Sequence, residues 1–270
     1  MKKKWRILKI FVTVAILGFL LSFSLKRFNE KKIDEKSITV KLNDGKTPVY
    51  FVDEKDIRNI VEKYNPTKKV GDVDIPSLEK KLNELPAVDS ANVYLNLNGK
   101  LNVDIKQRVP VFRLNNSGKG FYVDKNGVEF PISKNYSHPC MLVTGNVKKK
   151  EFKKLIELIK KIDNDGFCKN FFVGVTKEKE NYNLLTSDGN YKVEIGDLDR
   201  IDFKVKGFKT FVEKYLVFQN PEKYSKISVK YDNQIITTIN SGYKPEEDSL
   251  AEEKTPANTV TGIQKTEEKN

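Results

Sequence analysis

The sequence is poor in the residues from which most catalytic and metal centres are built. It contains one histidine, His138, two cysteines, Cys140 and Cys168, and one tryptophan. A metal site made of several imidazoles is therefore excluded, and any nucleophile–histidine centre would have to use His138. That histidine lies in a loop-like segment between Ser137 and Pro139, without the strand-turn-helix setting of a nucleophile elbow. We therefore expect no enzymatic activity, no cofactor and no metal.

The two cysteines leave two interpretations open. Their spacing matches no metal or redox motif, so they are either two small buried apolar residues or a disulfide. A disulfide is chemically permitted if this part of the chain lies outside the cytoplasm. The sequence favours the buried thiols.

The chain also lacks an arginine-rich stripe, although its formal net charge is +12. Most of the excess is lysine beside glutamate or aspartate, which is typical of a solvated surface, and residues 241–270 are acidic. Nucleic acid is therefore not expected as a partner.

One long hydrophobic run is present, from Ile7 to Leu25, interrupted only by Lys9. As a helix it would extend roughly 28 Å, close to the hydrocarbon thickness of a bilayer. A cleaved signal peptide is the alternative, but Ser22-Phe23-Ser24-Leu25 is a poor cleavage site. We predict a retained transmembrane helix over residues 7–25.

Charges on the two sides of this run do not decide its orientation. Five cations precede or begin it and five follow it, namely Lys2, Lys3, Lys4, Arg6 and Lys9, then Lys26, Arg27, Lys31, Lys32 and Lys36. Because only six residues precede the run, we expect residues 1–6 in the cytoplasm and the C-terminal part in the periplasm or extracytoplasmic space.

The remainder predicts an α+β protein with two folded domains. Residues 26–36 are charged and are assigned to a juxtamembrane spacer. Residues 37–107 read as strand, helix, helix, strand, strand, with both helices on one face of a three-stranded sheet, a hairpin expected at the turn 43–45 and another at Asn98-Gly99. Residues 108–240 read as a mostly antiparallel β domain with two flanking helices, Glu151–Ile162 and Ile201–Tyr215, a hairpin turn at 187–189 and a terminal strand pair near Ile227–Ile239. Residues 241–270 read as a disordered tail.

The last β-branched segment, from Tyr224 to Ile239, alternates in polarity and precedes the polar tail. Such a strand can form the edge of a sheet and accept a partner strand through its backbone. An ordinary terminal strand is the other interpretation. The pattern alone does not separate the two.

Three segments carry a resemblance to a known family. They are Leu82-Asn83-Glu84-Leu85-Pro86-Ala87-Val88-Asp89-Ser90-Ala91-Asn92-Val93, Ile105-Lys106-Gln107-Arg108-Val109-Pro110-Val111-Phe112, and Phe121-Tyr122-Val123-Asp124-Lys125-Asn126-Gly127-Val128-Glu129-Phe130. They resemble the helix-to-strand passage, domain junction and following hairpin of the bacterial divisome protein FtsQ, called DivIB in Gram-positive organisms. The form is similar to the Bacteroidota version. The likeness extends from the apolar run to about Asn240.

The resemblance implies a POTRA domain at 37–107 and an essential-type, non-catalytic scaffold at the division septum. It implies that the C-terminal β domain binds FtsB-like and FtsL-like ectodomains by strand addition, and that the anchor and POTRA domain contact other divisome members. The family's binding motif corresponds to Lys230-Tyr231-Asp232-Asn233-Gln234, with Gln234 in place of the usual glycine. The residues implied for partner binding are Tyr231, Asp232, Asn233, Gln234, Ile236 and Thr237.

Two other functions remain open. A POTRA-containing adaptor for secretion or envelope assembly would share the first domain, although neither a β-barrel nor further repeats follow in this sequence. A membrane-tethered wall hydrolase would need a pair of carboxylates facing a cleft, and no pair is placed by sequence to do so.

Overall fold

The computed structural model describes residues 2–42, 48–116, 118–134, 136–187 and 191–244. The predicted turns at 43–45 and 187–189 lie wholly or largely outside this part of the chain, as does the tail beyond residue 244. The elements are α1 (Lys2–Asn29), β1 (Ile38–Leu42), α2 (Glu54–Tyr64), α3 (Ile75–Asn83), β2 (Val88–Leu95), β3 (Leu101–Gln107), β4 (Pro110–Asn116), β5 (Lys119–Asp124), β6 (Glu129–Pro131), β7 (Met141–Thr144), α4 (Phe152–Asn164), α5 (Gly166–Phe171), β8 (Phe172–Glu178), β9 (Asn181–Thr186), β10 (Lys192–Gly196), α6 (Ile201–Lys214), β11 (Tyr224–Ser228) and β12 (Ile236–Ile239).

The apolar run forms the long helix α1. Residues 4–29 of this helix are long enough to span a membrane, and the most apolar part of them is not buried by the rest of the protein. In water the leucines, isoleucines and phenylalanines of this helix would remain unburied. A helix of this composition is therefore stable only when hydrocarbon surrounds it. The helix is longer than the predicted 7–25 at both ends. Within the described residues, one helix thus has the length and composition needed to cross a membrane.

A three-stranded sheet of order β1-β3-β2 follows, with β1 parallel and β2 antiparallel to β3. One face of β2 and β3 is buried. Its side chains pack against Ile57 and Val61 of α2 and against Leu78 and Leu82 of α3 in one core. Both helices therefore cover the same face, as predicted. The expected hairpin after β1 is wrong, because β1 pairs with β3 instead.

The second sheet has nine strands in the order β12-β11-β10-β9-β8-β7-β4-β5-β6. Three of its neighbouring pairs are parallel, namely β4 with β7, β7 with β8, and β10 with β11. Parallel neighbours need a crossover, and α4 and α6 supply two of these connections. The helix α4 buries six apolar side chains against the sheet.

The predicted α+β class is confirmed, with two differences in detail. The sheet is mixed, because β8, β7 and β4 run parallel at its centre and β10 and β11 form a further parallel pair near one edge. A third helix, α5, lies where the sequence predicts the approach to a strand; it is six residues long and begins at Asp165, whose carboxylate accepts the Cys168 N–H. A segment this short carries no helical period, so periodicity could not reveal it.

Residues 26–36 do not form a free spacer. Phe28 packs against the core of the three-stranded unit, and Ile33 is buried in it at 3% exposure. The backbone N–H of Ile33 donates to Lys68 O at 2.7 Å, and that of Val70 donates to Lys31 O at 2.9 Å. The end of the membrane helix is therefore docked on the domain that follows it.

The two sheets meet at a polar joint formed by consecutive residues. The side-chain oxygen of Gln107 accepts the N–H groups of Phe51 and Val52 at 2.8 and 2.9 Å, and its amide donates to Val52 O at 3.1 Å. Arg108 donates to Asp124 at 2.7 Å and to Pro86 O at 3.1 Å. Gln107 thus stabilises the small unit internally, and Arg108 attaches this unit to the large sheet.

An aromatic contact lies beside this joint. The ring of Phe51 has its centroid 5.3 Å from those of Tyr122 and Phe130 and 4.9 Å from that of Tyr136, in edge-on arrangements. Such pairs add to the free energy of area burial alone. Because Gln107 holds the backbone at Phe51, it also fixes the ring that touches the large sheet.

Replacing Gln107 with leucine should lower the free energy of unfolding by about 2–3 kcal/mol, because two N–H groups at buried or half-buried sites lose their acceptor. Urea unfolding of the full chain in detergent micelles measures this change. Leucine at Gln219, a half-buried glutamine in the other unit that accepts from Lys223, is the matched control and should cost less than about 1 kcal/mol. Equal losses for the two variants would contradict this role of Gln107.

Candidate partner-binding edge

The strand β12 ends the nine-stranded sheet, since β11 is its only neighbour. It pairs antiparallel with β11, placing Ile236 opposite Ser228 and Thr238 opposite Lys226. All four of its residues are exposed, including Ile236 at 45% and Ile239 at 61%. One long side of β12 therefore offers backbone groups without a neighbouring strand in the described part of the chain.

The orientation of these backbone groups follows from two hydrogen bonds at the ends of the β11–β12 pair. Val229 N–H donates to Glu194 O, towards β10, so alternation turns the polar groups of Ser228 towards β12. Asn240 N–H donates to Lys223 O, so the even-numbered residues of β12 face β11. The N–H and C=O groups of Thr237 and Ile239 consequently point to the free edge.

Only two of the six residues implied for partner binding lie on this strand. Ile236 and Thr237 belong to β12, whereas Tyr231, Asp232, Asn233 and Gln234 lie in the connection between β11 and β12. All six are exposed, and Ile235 beside them packs against the large core. Two of the six residues therefore lie on the edge strand and four in the connection, because the chain turns after Ser228.

The connection is fastened to α6 by a charge pair. Arg200 donates to the carboxylate of Asp232, and the Arg200 guanidinium lies 4.9 Å from the centroid of the Phe203 ring. Lys230 lies over the Tyr231 ring at 5.7 Å. These contacts group Tyr231 and Asp232 with a cation and an aromatic side chain from the start of α6.

The backbone of the connection requires a left-handed residue at Asn233, whose φ is +56°. Asparagine tolerates this region better than most residues other than glycine. Gln234 is not among the residues of positive φ. The replacement of the family's glycine by Gln234 therefore needs no left-handed backbone at that position.

Exposed apolar side chains lie at both ends of α6, and the sequence did not identify them as candidates. Phe203 is 45% exposed in the first turn of α6, and Val217 and Phe218 are 60% and 77% exposed in the short 3-10 turn after it. That turn precedes β11, whose first residue Tyr224 is opposite Ile239. Only an aperiodic Leu216-Val217-Phe218 run marked them in sequence.

Tyr224 sits at that end in a tyrosine cluster. Burial, with help from a hydrogen bond involving Tyr215, raises the pKa of Tyr224 to about 12, so its hydroxyl stays neutral at physiological pH. Lys223 lies over the Tyr224 ring at 5.6 Å, so a cation and aromatic side chains together border this end of β12.

The residues considered for catalysis do not converge. The Nδ1 of His138 is 3.0 Å from the Tyr136 hydroxyl, its backbone N–H donates to the Tyr122 hydroxyl, and burial lowers the pKa of its ring. Cys140 and Cys168 are free thiols whose pKa values burial raises to about 11 and about 12. Among the described residues, no group of three or more histidine, cysteine, aspartate or glutamate side chains could hold a metal.

The architecture defines a class of protein: a single apolar N-terminal helix, a POTRA-like domain and a mixed β domain with an exposed edge. A family model for a POTRA-like domain matches residues 36–106, and a model described as FtsQ/DivIB, C-terminal related, matches residues 109–238. The chain belongs to the FtsQ/DivIB family of bacterial cell-division proteins. Proteins of this family are non-catalytic division scaffolds, and a single-pass membrane protein fits both the family and α1. No curated protein matches the sequence.

Valine at Asn233 should destabilise the β11–β12 connection by about 1–2 kcal/mol, because a β-branched residue is strained at positive φ. Hydrogen exchange of the β12 amides should accelerate by about 5- to 30-fold if opening is local. Valine at Gln234 is the control and should leave exchange near the wild-type rate. Equal acceleration in both variants would show that Asn233 has no special backbone role.

Proposed function

We propose that the chain is an essential, non-catalytic scaffold of the divisome that captures FtsB-like and FtsL-like ectodomains on the free edge of β12. The observation that carries this proposal is the unpaired side of β12, with the polar groups of Thr237 and Ile239 directed outwards. A partner strand satisfies these groups by extending the sheet. The unit at 108–240 acts as the binding domain, and the unit at 37–107, together with the anchor, contacts other members of the divisome.

Selectivity would come from side chains around this edge. Tyr231 and Asp232 precede β12, with Arg200 paired to Asp232, and Val217 and Phe218 are exposed in the turn that precedes β11. A strand of four residues supplies few backbone bonds, so these flanking side chains are needed to add affinity. Asn233 and Gln234 shape the turn, and Ile236 and Thr237 contact the added strand.

Proline at Thr237 should abolish capture of an FtsB-like ectodomain in a pull-down while the fold persists. Thr237 directs its N–H to the free side, so proline removes a donor that β11 does not use. Proline at Ile236 is less selective, since alternation turns the Ile236 N–H towards β11.

Valine at Thr237 is the matched control, because it keeps the N–H and the branched shape and should retain capture. Unfolding temperatures of the three proteins identify any loss of fold. Undiminished capture by the proline variant would exclude the β12 edge as the binding site.

We further propose that the N-terminus is cytoplasmic and that the β domain lies outside the cytoplasmic membrane at the septum. The support is the family match, since a β domain that captures ectodomains has to lie on the same side of the membrane as they do.

Protease added to intact spheroplasts should therefore degrade residues 37–240, and a cytoplasmic marker protein should stay intact. Protection of the folded part until the membrane is permeabilised would reverse the orientation. Midcell enrichment of an N-terminally fluorescent fusion tests the septal location in the same cells.

A further inference from the structure

The membrane-proximal base of the POTRA-like domain is built from segments distant in sequence. The isolated bridge between Lys32 and Lys69 joins the chain leaving α1 to the chain after α2. The amine of Lys31 donates to Asn98 O at the β2–β3 hairpin. The end of the membrane helix, the segment around Lys69 and the hairpin therefore share one surface.

This surface is strongly basic. Lys26, Arg27, Lys31, Lys32 and Lys69 are all exposed on it. Within the described residues, none of the five makes an ion pair with an acidic side chain within 4.0 Å. Their charges are consequently available to a ligand.

A groove at the end of α1 combines these charges with apolar side chains. Its volume is about 830 Å³, and its lining includes Phe23 and Phe28 together with Lys26, Arg27 and Lys31. Glu30 is the single acidic residue of the lining. Phe23 belongs to the apolar run, whereas the cations lie just beyond it, at the depth where a bilayer changes from hydrocarbon to headgroups.

We propose that this groove binds an anionic glycerophospholipid of the leaflet that faces the folded domains. The cations would contact the headgroup phosphate, and the two phenylalanines would contact the upper part of the acyl chains. Charge complementarity favours an anion, and the position at the end of a membrane span favours a molecule that is both anionic and hydrophobic. A soluble anionic peptide or phosphate would not use the phenylalanine side.

The docked base gives this binding a consequence. Because Phe28 and Ile33 are packed into the domain core, a lipid held at the end of α1 also holds the domain. The lipid would set the tilt of the POTRA-like domain against the bilayer. Lipid binding would also explain why Lys26 and Arg27 follow the apolar run, although the residues before the run are equally basic.

Glutamine at both Lys26 and Arg27 tests the proposal in the full chain. The protein is reconstituted in nanodiscs of phosphatidylcholine containing a small fraction of spin-labelled lipid, and the motionally restricted fraction is measured for phosphatidylglycerol and for phosphatidylcholine. The wild type should prefer phosphatidylglycerol, and the double variant should lose about five- to twentyfold of that preference, on the order of the contribution of one to two surface cations.

A second basic groove provides the matched control. It lies on α4, away from the apolar run, and includes Lys153 and Lys160. Glutamine at these two positions removes the same charge and should leave the preference unchanged. The proposal is overturned if the wild type does not discriminate between the lipids, if the Lys26 and Arg27 variant keeps the preference, or if the control loses as much.

This experiment is independent of partner capture. Lipid preference is measured without any division protein, so its failure leaves the β12 proposal standing. Loss of capture in the Thr237 proline variant likewise says nothing about the groove.

Discussion

The joint at Gln107 and Arg108 is the constraint on which the rest of the molecule depends. Gln107 holds the 51–52 backbone by three hydrogen bonds, and Arg108 spans from Pro86 O to the Asp124 carboxylate. Asp124 is 3% exposed at its side chain and also accepts the N–H groups of Asn126 and Val128. An uncompensated charge at this depth would be costly, so Arg108 and Asp124 require each other. The Gln-Arg-x-Pro motif of the sequence thus lies where the chain passes from one sheet to the other, and hydrogen bonds hold this passage rigid.

Regular elements of this fold could be predicted wherever side-chain period and burial agree. The helical spacing of Phe152, Leu155 and Ile159 identifies α4. The alternation of Val103 and Ile105 with polar residues identifies β3 in the same way, because each set faces one core. The parallel centre of the large sheet could not be read in this way. Strand order depends on which crossovers pack, and that information is distributed over residues far apart in sequence.

The candidate site shows the same limit more sharply. The sequence predicted a terminal strand pair near Ile227–Ile239, because its β-branched residues alternate, but it did not show where the chain turns. The turn between β11 and β12 rests instead on Asn233 at positive φ and on the Arg200–Asp232 pair, whose partners are 32 positions apart. Similarly, the charged composition of residues 26–36 suggested a spacer, whereas the buried Ile33 and a single bridge to Lys69 dock it. Long-range pairing of this kind leaves no periodic signal.

A series of rigid contacts connects α1 to the edge strand β12. Phe28 and Ile33 attach the end of α1 to the small core, Gln107 holds the backbone at 51–52, and Arg108 pairs with Asp124 of β5. From β5 the sheet continues through β4 to its exposed edge at β12. Each step relies on buried side chains or paired backbone groups, which resist bending far better than a flexible linker of similar length. A partner strand added to β12 would therefore be held at a defined height and direction above the bilayer. For a scaffold this geometry matters as much as affinity, since it decides which other membrane-anchored proteins can reach the captured chain.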